Sequence, residues 1–184
     1  MKALAIIAFA LLFSTVRADS WSPPEPKASS SPSGRYVVRV TPGDWKTKKK
    51  PVAIVFELSR DGASYEKRRE FPLLNAESPV DICISEAAEV FTFDDWGRMG
   101  YSFVVVWYSE EGQKKKEFTL EELFPPKPLA EIKEEHSSKS SIHWRGVGRA
   151  RINGPHLIIP DVLGGYVSLT HGTIEYMPSE SSRK

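Results

Sequence analysis

The chain has 184 residues, 40% of them hydrophobic and 27% charged, with a formal net charge of +1 and a single cysteine. That length suits one domain with a buried core. The near-neutral balance gives no whole-chain reason to expect nucleic acid or an anionic membrane surface as partner, and one cysteine excludes an intramolecular disulfide.

Lys2 precedes an uninterrupted apolar run over residues 3–13, and Val16 and Ala18 hold the −3 and −1 positions of a small-residue segment. This pattern predicts a secretory signal peptide cleaved after Ala18. The run is about half of the ~20 residues a membrane span needs, and no cysteine stands at the cleavage point to carry a lipid. The expectation is a secreted or periplasmic chain of about 166 residues with no stable membrane anchor, its net charge shifted to −1 by the loss of Lys2 and Arg17. Residues 19–33, with Pro23, Pro24, Pro26 and three consecutive serines, read as an extended linker. The ordered domain is expected to span residues 34–176.

Residues 31–34 form a turn and residues 35–40 a strand. A loop carrying Asp44-Trp45 and a lysine run follows, then a strand over residues 52–58. Arg60-Asp61-Gly62 is a turn signal. Residues 65–71 read as a charged edge strand, with Tyr65 and Phe71 facing inward and Lys and Arg blunting the edge. The same order returns about 50 residues later, a period typical of propeller and array repeats. Residues 85–88 stand where 31–34 stood, residues 90–93 match 36–40, and Asp95-Trp96 matches Asp44-Trp45. Residues 104–108 match 54–58, and Glu111-Gly112 matches Asp61-Gly62. The centre of this second unit, with Asp94-Asp95-Trp96-Gly97 between two runs of β-formers, reads as strand, acidic-aromatic loop, strand. Cys83, within Val80-Asp81-Ile82-Cys83-Ile84, is expected to be a small buried residue on a strand.

Thr119-Leu120-Glu121-Glu122 fits a capping box and predicts a short helix ending before Pro125-Pro126. Pro128 is expected to open a second helix with Leu129 and Ile132 on one face. A third, shorter unit closes the chain over residues 154–176, with Asp161 in its loop and His171-Gly172 in its turn. Residues 177–184 form a polar tail. The repeats are thus expected at about 34–75, 80–118 and 154–176, with a helical insertion at 119–136.

Ser31-Pro32-Ser33-Gly34-Arg35-Tyr36 resembles the opening turn and strand of a TolB-like (WD40-like) β-propeller repeat, and Ser59-Arg60-Asp61-Gly62 its inter-strand turn. The second unit departs from that pattern at Glu86-Ala87-Ala88. The chain as a whole is also similar to uncharacterised secreted bacterial proteins through the DDWGRMGY stretch, a likeness that implies no activity. The TolB-like resemblance implies a four-stranded blade as the unit. Two full units and a partial one fall short of the about four blades a closed ring needs. The expected fold is therefore mainly β: antiparallel sheets from two to three blade-like repeats, packed into a compact monomer or completed by oligomerisation.

Asp44, Asp95 and Asp161 each follow the first strand read for their unit, so equivalent units would bring them to one end. Trp45, Trp96, Tyr101 and Tyr166 would stand beside them, with Asp94 adjacent. Carboxylates and aromatics on one rim suit a sugar or a hard cation, although Asp is also simply a good turn residue and Trp and Tyr good sheet caps. No calcium loop, HExxH, GxSxG, Walker or dinucleotide pattern is present. No catalytic residue, metal ligand or cofactor is assigned. Trp144-Arg145 is read as a cation–aromatic pair anchoring a polar loop. The first expectation is a non-enzymatic exported domain binding an unidentified ligand or protein through this rim. The alternatives are a glycan or ester hydrolase using Asp94, Asp95 and Asp161, or an assembly subunit using open edges.

Overall fold

The computed structural model describes residues 22–179. The expected signal peptide lies outside them, as do the last five residues of the polar tail. The chain folds into three four-stranded antiparallel sheets, each a simple meander. The first holds β1 (Lys27–Ser30), β2 (Tyr36–Thr41), β3 (Val52–Leu58) and β4 (Tyr65–Pro72). The second holds β5 (Pro79–Ile84), β6 (Val90–Asp95), β7 (Val105–Tyr108) and β8 (Lys114–Phe118). Two short helices, α1 (Leu120–Leu123) and α2 (Pro126–Glu135), lead to the third sheet: β9 (Arg151–Asn153), β10 (His156–Pro160), β11 (Tyr166–Thr170) and β12 (Thr173–Met177).

The sheets stack face to face with the second in the middle. Alternation places Val38, Val40, Ala53, Val55 and Phe71 of the first sheet against Ile82, Ile84, Val90, Val106 and Tyr108 of the second. The other face of the second sheet, with Cys83, Phe91, Phe93, Val105 and Phe118, packs on Leu157, Ile159, Val167 and Leu169 of the third and on the helices. This is why β6 reads as a nearly continuous apolar run: both of its faces are covered. Each fully buried Val, Leu, Ile or Phe contributes about 1.5–3 kcal/mol. The opening strands lie side by side, β5 meeting both β1 and β9.

The first two sheets share their irregular features. Gly34 N–H donates to Ser31 O and Ala88 N–H to Ser85 O, closing the turns that open β2 and β6. Both residues are left-handed, at φ 76° and 59°. Glycine takes that conformation freely, whereas Ala88 holds it under strain. This is the physical content of the departure at Glu86-Ala87-Ala88. Glu86 then reaches across, its carboxylate accepting from Ser33 N–H and Oγ at 2.6 Å each. Both sheets have a register shift before the last rungs, at Val55/Phe56 and at Trp107/Tyr108. Both outer strands carry an i,i+3 ion pair, Lys67–Glu70 and Lys114–Glu117.

Several expected boundaries move. Lys27–Ser30, read as linker, is strand β1, and Arg151–Asn153 supplies a fourth strand to the third sheet. The sheets thus begin at Lys27, not at residue 34, and the third unit is as complete as the others. Neither segment has strand propensity of its own; each is extended because it completes a ladder with its neighbour. Tyr65 is 45% exposed, with its hydroxyl on Gly34 O, so only Phe71 of the pair faces inward. The capping box at Thr119 and Glu122 is formed. The second helix starts at Pro126, two residues before Pro128, because first-turn N–H groups have no intrahelical partner and both prolines fit there. Leu129 and Ile132 face the core as expected, and His136 caps the helix C-terminus.

Candidate functional site

The connections from second to third strand (β2 to β3, β6 to β7, β10 to β11), together with the strand ends that flank them, carry every residue singled out for the rim. They do not carry them equivalently. Asp94 N–H donates to Val104 O, and Asp161 N–H to Gly165 O, each closing the last rung toward the third strand. Each carboxylate also turns back onto a loop glycine: Asp94 Oδ1 accepts from Gly100 N–H at 2.8 Å and Asp161 Oδ1 from Gly165 N–H at 3.0 Å. Asp94, rather than Asp95, therefore corresponds to Asp161. The match through Asp95 is one residue out, because the Asp94-Asp95 doublet offers two registers and only the backbone pairing chooses between them. Asp44 lies three residues beyond the end of β2, in a longer loop. It ties that loop locally, Oδ1 accepting from Lys46 N–H and Oδ2 from Thr47 Oγ1. These bonds hold its carboxyl below the usual range.

Asp94 and Asp161 are 1% and 2% exposed, so neither carboxylate stands on the surface. Asp94 joins three segments. Its Oδ1 also accepts from Trp144 Nε1 at 2.8 Å, and its Oδ2 lies 3.5 Å from Arg145 Nε. Arg145 in turn meets Asp81 at 3.1 Å and covers the Phe93 ring. Trp144 is fully buried. It accordingly anchors the post-helical loop to the domain, as the pair Trp144-Arg145 suggested. Burial pushes the Asp94 carboxyl up to about 6, against the pull of Arg145, Trp144 and Gly100. The same backbone segment spans to the third sheet, Gly146 N–H donating to Pro160 O and Val162 N–H to Trp144 O. Asp95 is half-buried and accepts from Ala76 N–H; desolvation raises its pKa. Burial, with the neighbouring Asp161 carboxylate adding to it, pushes the Tyr176 hydroxyl up to about 12.

The surface of the rim is apolar and aromatic. Among the described residues five large hydrophobic side chains are exposed, and four belong to this end: Trp45 at 66%, Tyr101, Val147 at 110% and Tyr166. Trp45 and Trp96 line one groove of about 470 Å³ with Pro24, Pro42, Asp44 and Glu77. Lys27 Nζ lies 5.0 Å from the Trp96 ring centroid. A second concavity, lined by Arg145, Val147 and Asp161, occupies the third-sheet side. Sequence reasoning missed Glu77, Pro42 and Val147. The only available signal was Val147 between Gly146 and Gly148, an apolar residue that no neighbour in the chain can shield.

A stack of blade-like antiparallel sheets with an aromatic, acid-braced loop rim is the class of protein that fold and site define. No protein-family model matches the chain, and no curated protein is significantly similar to it.

Among the described residues no three His, Cys, Asp or Glu side chains are grouped to hold a metal ion. Cys83 is buried, its Sγ donating to Ala150 O, and burial pushes its thiol up to about 12.

Proposed function

We propose that this chain is an exported, non-enzymatic β-domain that binds a ligand or partner through the loops joining second to third strands. The observation that carries the reading is the concentration of exposed large hydrophobics at that end. Apolar groups gathered on one surface mark an interaction site more often than scattered ones do. Trp45 and Trp96 offer ring faces, and Asp44 and Glu77 offer acceptors, in a single groove of a size that accommodates one or two sugar rings or a short peptide. Export rests on the sequence pattern at residues 1–18. Kinship to TolB-like repeats rests on the turn motifs and on the side-by-side opening strands.

The hydrolase reading has less support. Two of its three acids, Asp94 and Asp161, are buried and bonded to backbone amides, where they brace the loops. A glycosidase needs both carboxylates flanking a bound glycosidic linkage.

The test is amide chemical-shift mapping during titration with chito- and cello-oligosaccharides and with short peptides. Shifts are expected at residues 43–49, 96–102, 145–148 and 161–166, and their loss in Trp45→Ala at unchanged melting temperature. Ligand shifts gathered in the opposite turns, at residues 60–63 and 110–113, contradict the proposal.

A further inference from the structure

The middle sheet has both faces covered, whereas the two outer sheets each have a bare face, and these faces differ. The bare face of the third sheet sets Arg151, Ser168 and Glu175 around a central Ile158, with Thr170 and His156 on one side and Pro160, Tyr166 and Met177 on the other, a more polar face than that of the first sheet. On the bare face of the first sheet, registry puts Val37 beside Phe56, Arg39 beside Ile54, and Thr41 beside Val52, all pointing away from the second sheet. Val37, Val52, Ile54 and Phe56 are half-buried, and among the described residues no sheet packs over them.

The second sheet shows what such a face does. Val90 pairs with Tyr108 as Val37 pairs with Phe56, and Thr92 pairs with Val106 as Arg39 pairs with Ile54. The register shifts that precede Phe56 and Tyr108 fix this correspondence. Val90, Val106 and Tyr108 are the residues through which the second sheet packs on the first. The first sheet thus repeats, at the same positions, the face that elsewhere in this molecule is buried against another sheet. An antiparallel sheet whose outer face meets water is expected to alternate to polar there.

We infer that the bare face of the first sheet is a homodimer interface, two copies packing these faces across a two-fold axis that runs along β3. Among the described residues both faces of the second sheet and the inner faces of the two outer sheets are already covered, so the surface matched to this one is the same face of a second copy. The charges are self-complementary. Arg39, Ile54 and Glu70 form one row across β2, β3 and β4, with Glu70 also paired to Lys67 on the same face. A two-fold axis along β3 sets Arg39 of each copy opposite Glu70 of the other and stacks Ile54 on Ile54. An interface of this kind is isologous and closed, so it stops at two copies, and sheets so packed lie about 10 Å apart. The rims are left free, which makes the dimer bivalent for whatever the loops bind.

Sedimentation velocity of the full chain, from 1 to 200 µM, tests this. The expected result is a two-chain mass at the upper concentrations for the native protein. Ile54→Lys and Phe56→Lys should both give a one-chain mass with unchanged far-UV circular dichroism. Arg39→Glu should weaken the dimer at least tenfold, and the double exchange Arg39→Glu with Glu70→Arg should restore it. A native chain that stays monomeric throughout, an assembly larger than two, or a dimer indifferent to both lysine variants overturns the proposal. If Ile54→Lys fails to fold, the Arg39/Glu70 exchange decides alone.

Discussion

Replacing Asp94 separates two roles that a buried carboxylate can play. In Asp94→Ala, Trp144 Nε1 and Gly100 N–H lose their shared acceptor, and Arg145 keeps only Asp81. Trp144 is 0% exposed and Gly100 is buried, so neither N–H can turn to water instead. Each orphaned N–H costs about 1–3 kcal/mol, and stranding part of a buried charge adds to that. The sum is about 4 kcal/mol, a large share of the 5–15 kcal/mol typical of a domain. At about 2–4 °C per kcal/mol for a domain of this size, the melting temperature should fall by about 10 °C. Asp94→Asn keeps an oxygen where Oδ1 stands, so both N–H bonds survive. Its NH2 takes the place of Oδ2 beside Arg145 and forfeits that pair, but burial already disfavours the charged form, so the Asn variant should lose no more than about 2 kcal/mol, half the cost of Ala. Differential scanning calorimetry of the three proteins at pH 7 reads this out. An Ala variant within about 2 °C of the native chain refutes the claim that Asp94 braces the loops. An Asn variant as damaged as Ala refutes the claim that acceptance, rather than charge, is what the site requires.

The pH dependence of the same pair follows. Because the folded-state pKa of Asp94 is raised to about 6, its contribution is fully present below the unfolded value near 4 and is lost as pH rises through 6. Urea midpoints should therefore show Asp94→Asn gaining on the native chain from pH 4 to 6 and holding level above that; a loss over this window contradicts the assignment. Gly100 and Gly97 both have positive φ, but a Cβ on Gly100 would meet Ile142 Cβ at 2.5 Å while one on Gly97 would meet nothing within 4 Å. Gly100→Ala should cost at least about 2 kcal/mol and Gly97→Ala about 1, and equal costs would show that the loop does not press on residue 142. Iodoacetamide at pH 8 should leave Cys83 unmodified until the chain is unfolded; labelling within minutes under native conditions would place the thiol at the surface.

The strands with β-branched and aromatic runs, β3 and β6 foremost, were legible because pattern and propensity agree there. β1 and β9 were not, because Lys-Ala-Ser-Ser and Arg-Ile-Asn become strands only through a partner. The acidic loops were legible as turns, and their common position between second and third strands could be inferred from order alone. Which residue of Asp94-Asp95 faces inward could not, since adjacent carboxylates are chemically alike and the choice is made by the left-handed φ of 53° at Asp94. Trp144 pointed to an anchor by its size, but its partner lies fifty residues away, and no local pattern encodes that distance.

The claim on which the functional reading turns is that the loops following β2, β6 and β10 share one end of the stack. A nitroxide attached at Trp45→Cys, with buried Cys83 escaping the label, measures this through paramagnetic broadening of backbone amides. The account predicts strong broadening at Gly97 and Arg98, across the groove that Trp45 and Trp96 line together, and none at Gly62 or Gly112 in the opposite turns. Broadening at Gly62 and Gly112 with a sharp Gly97 resonance would contradict it.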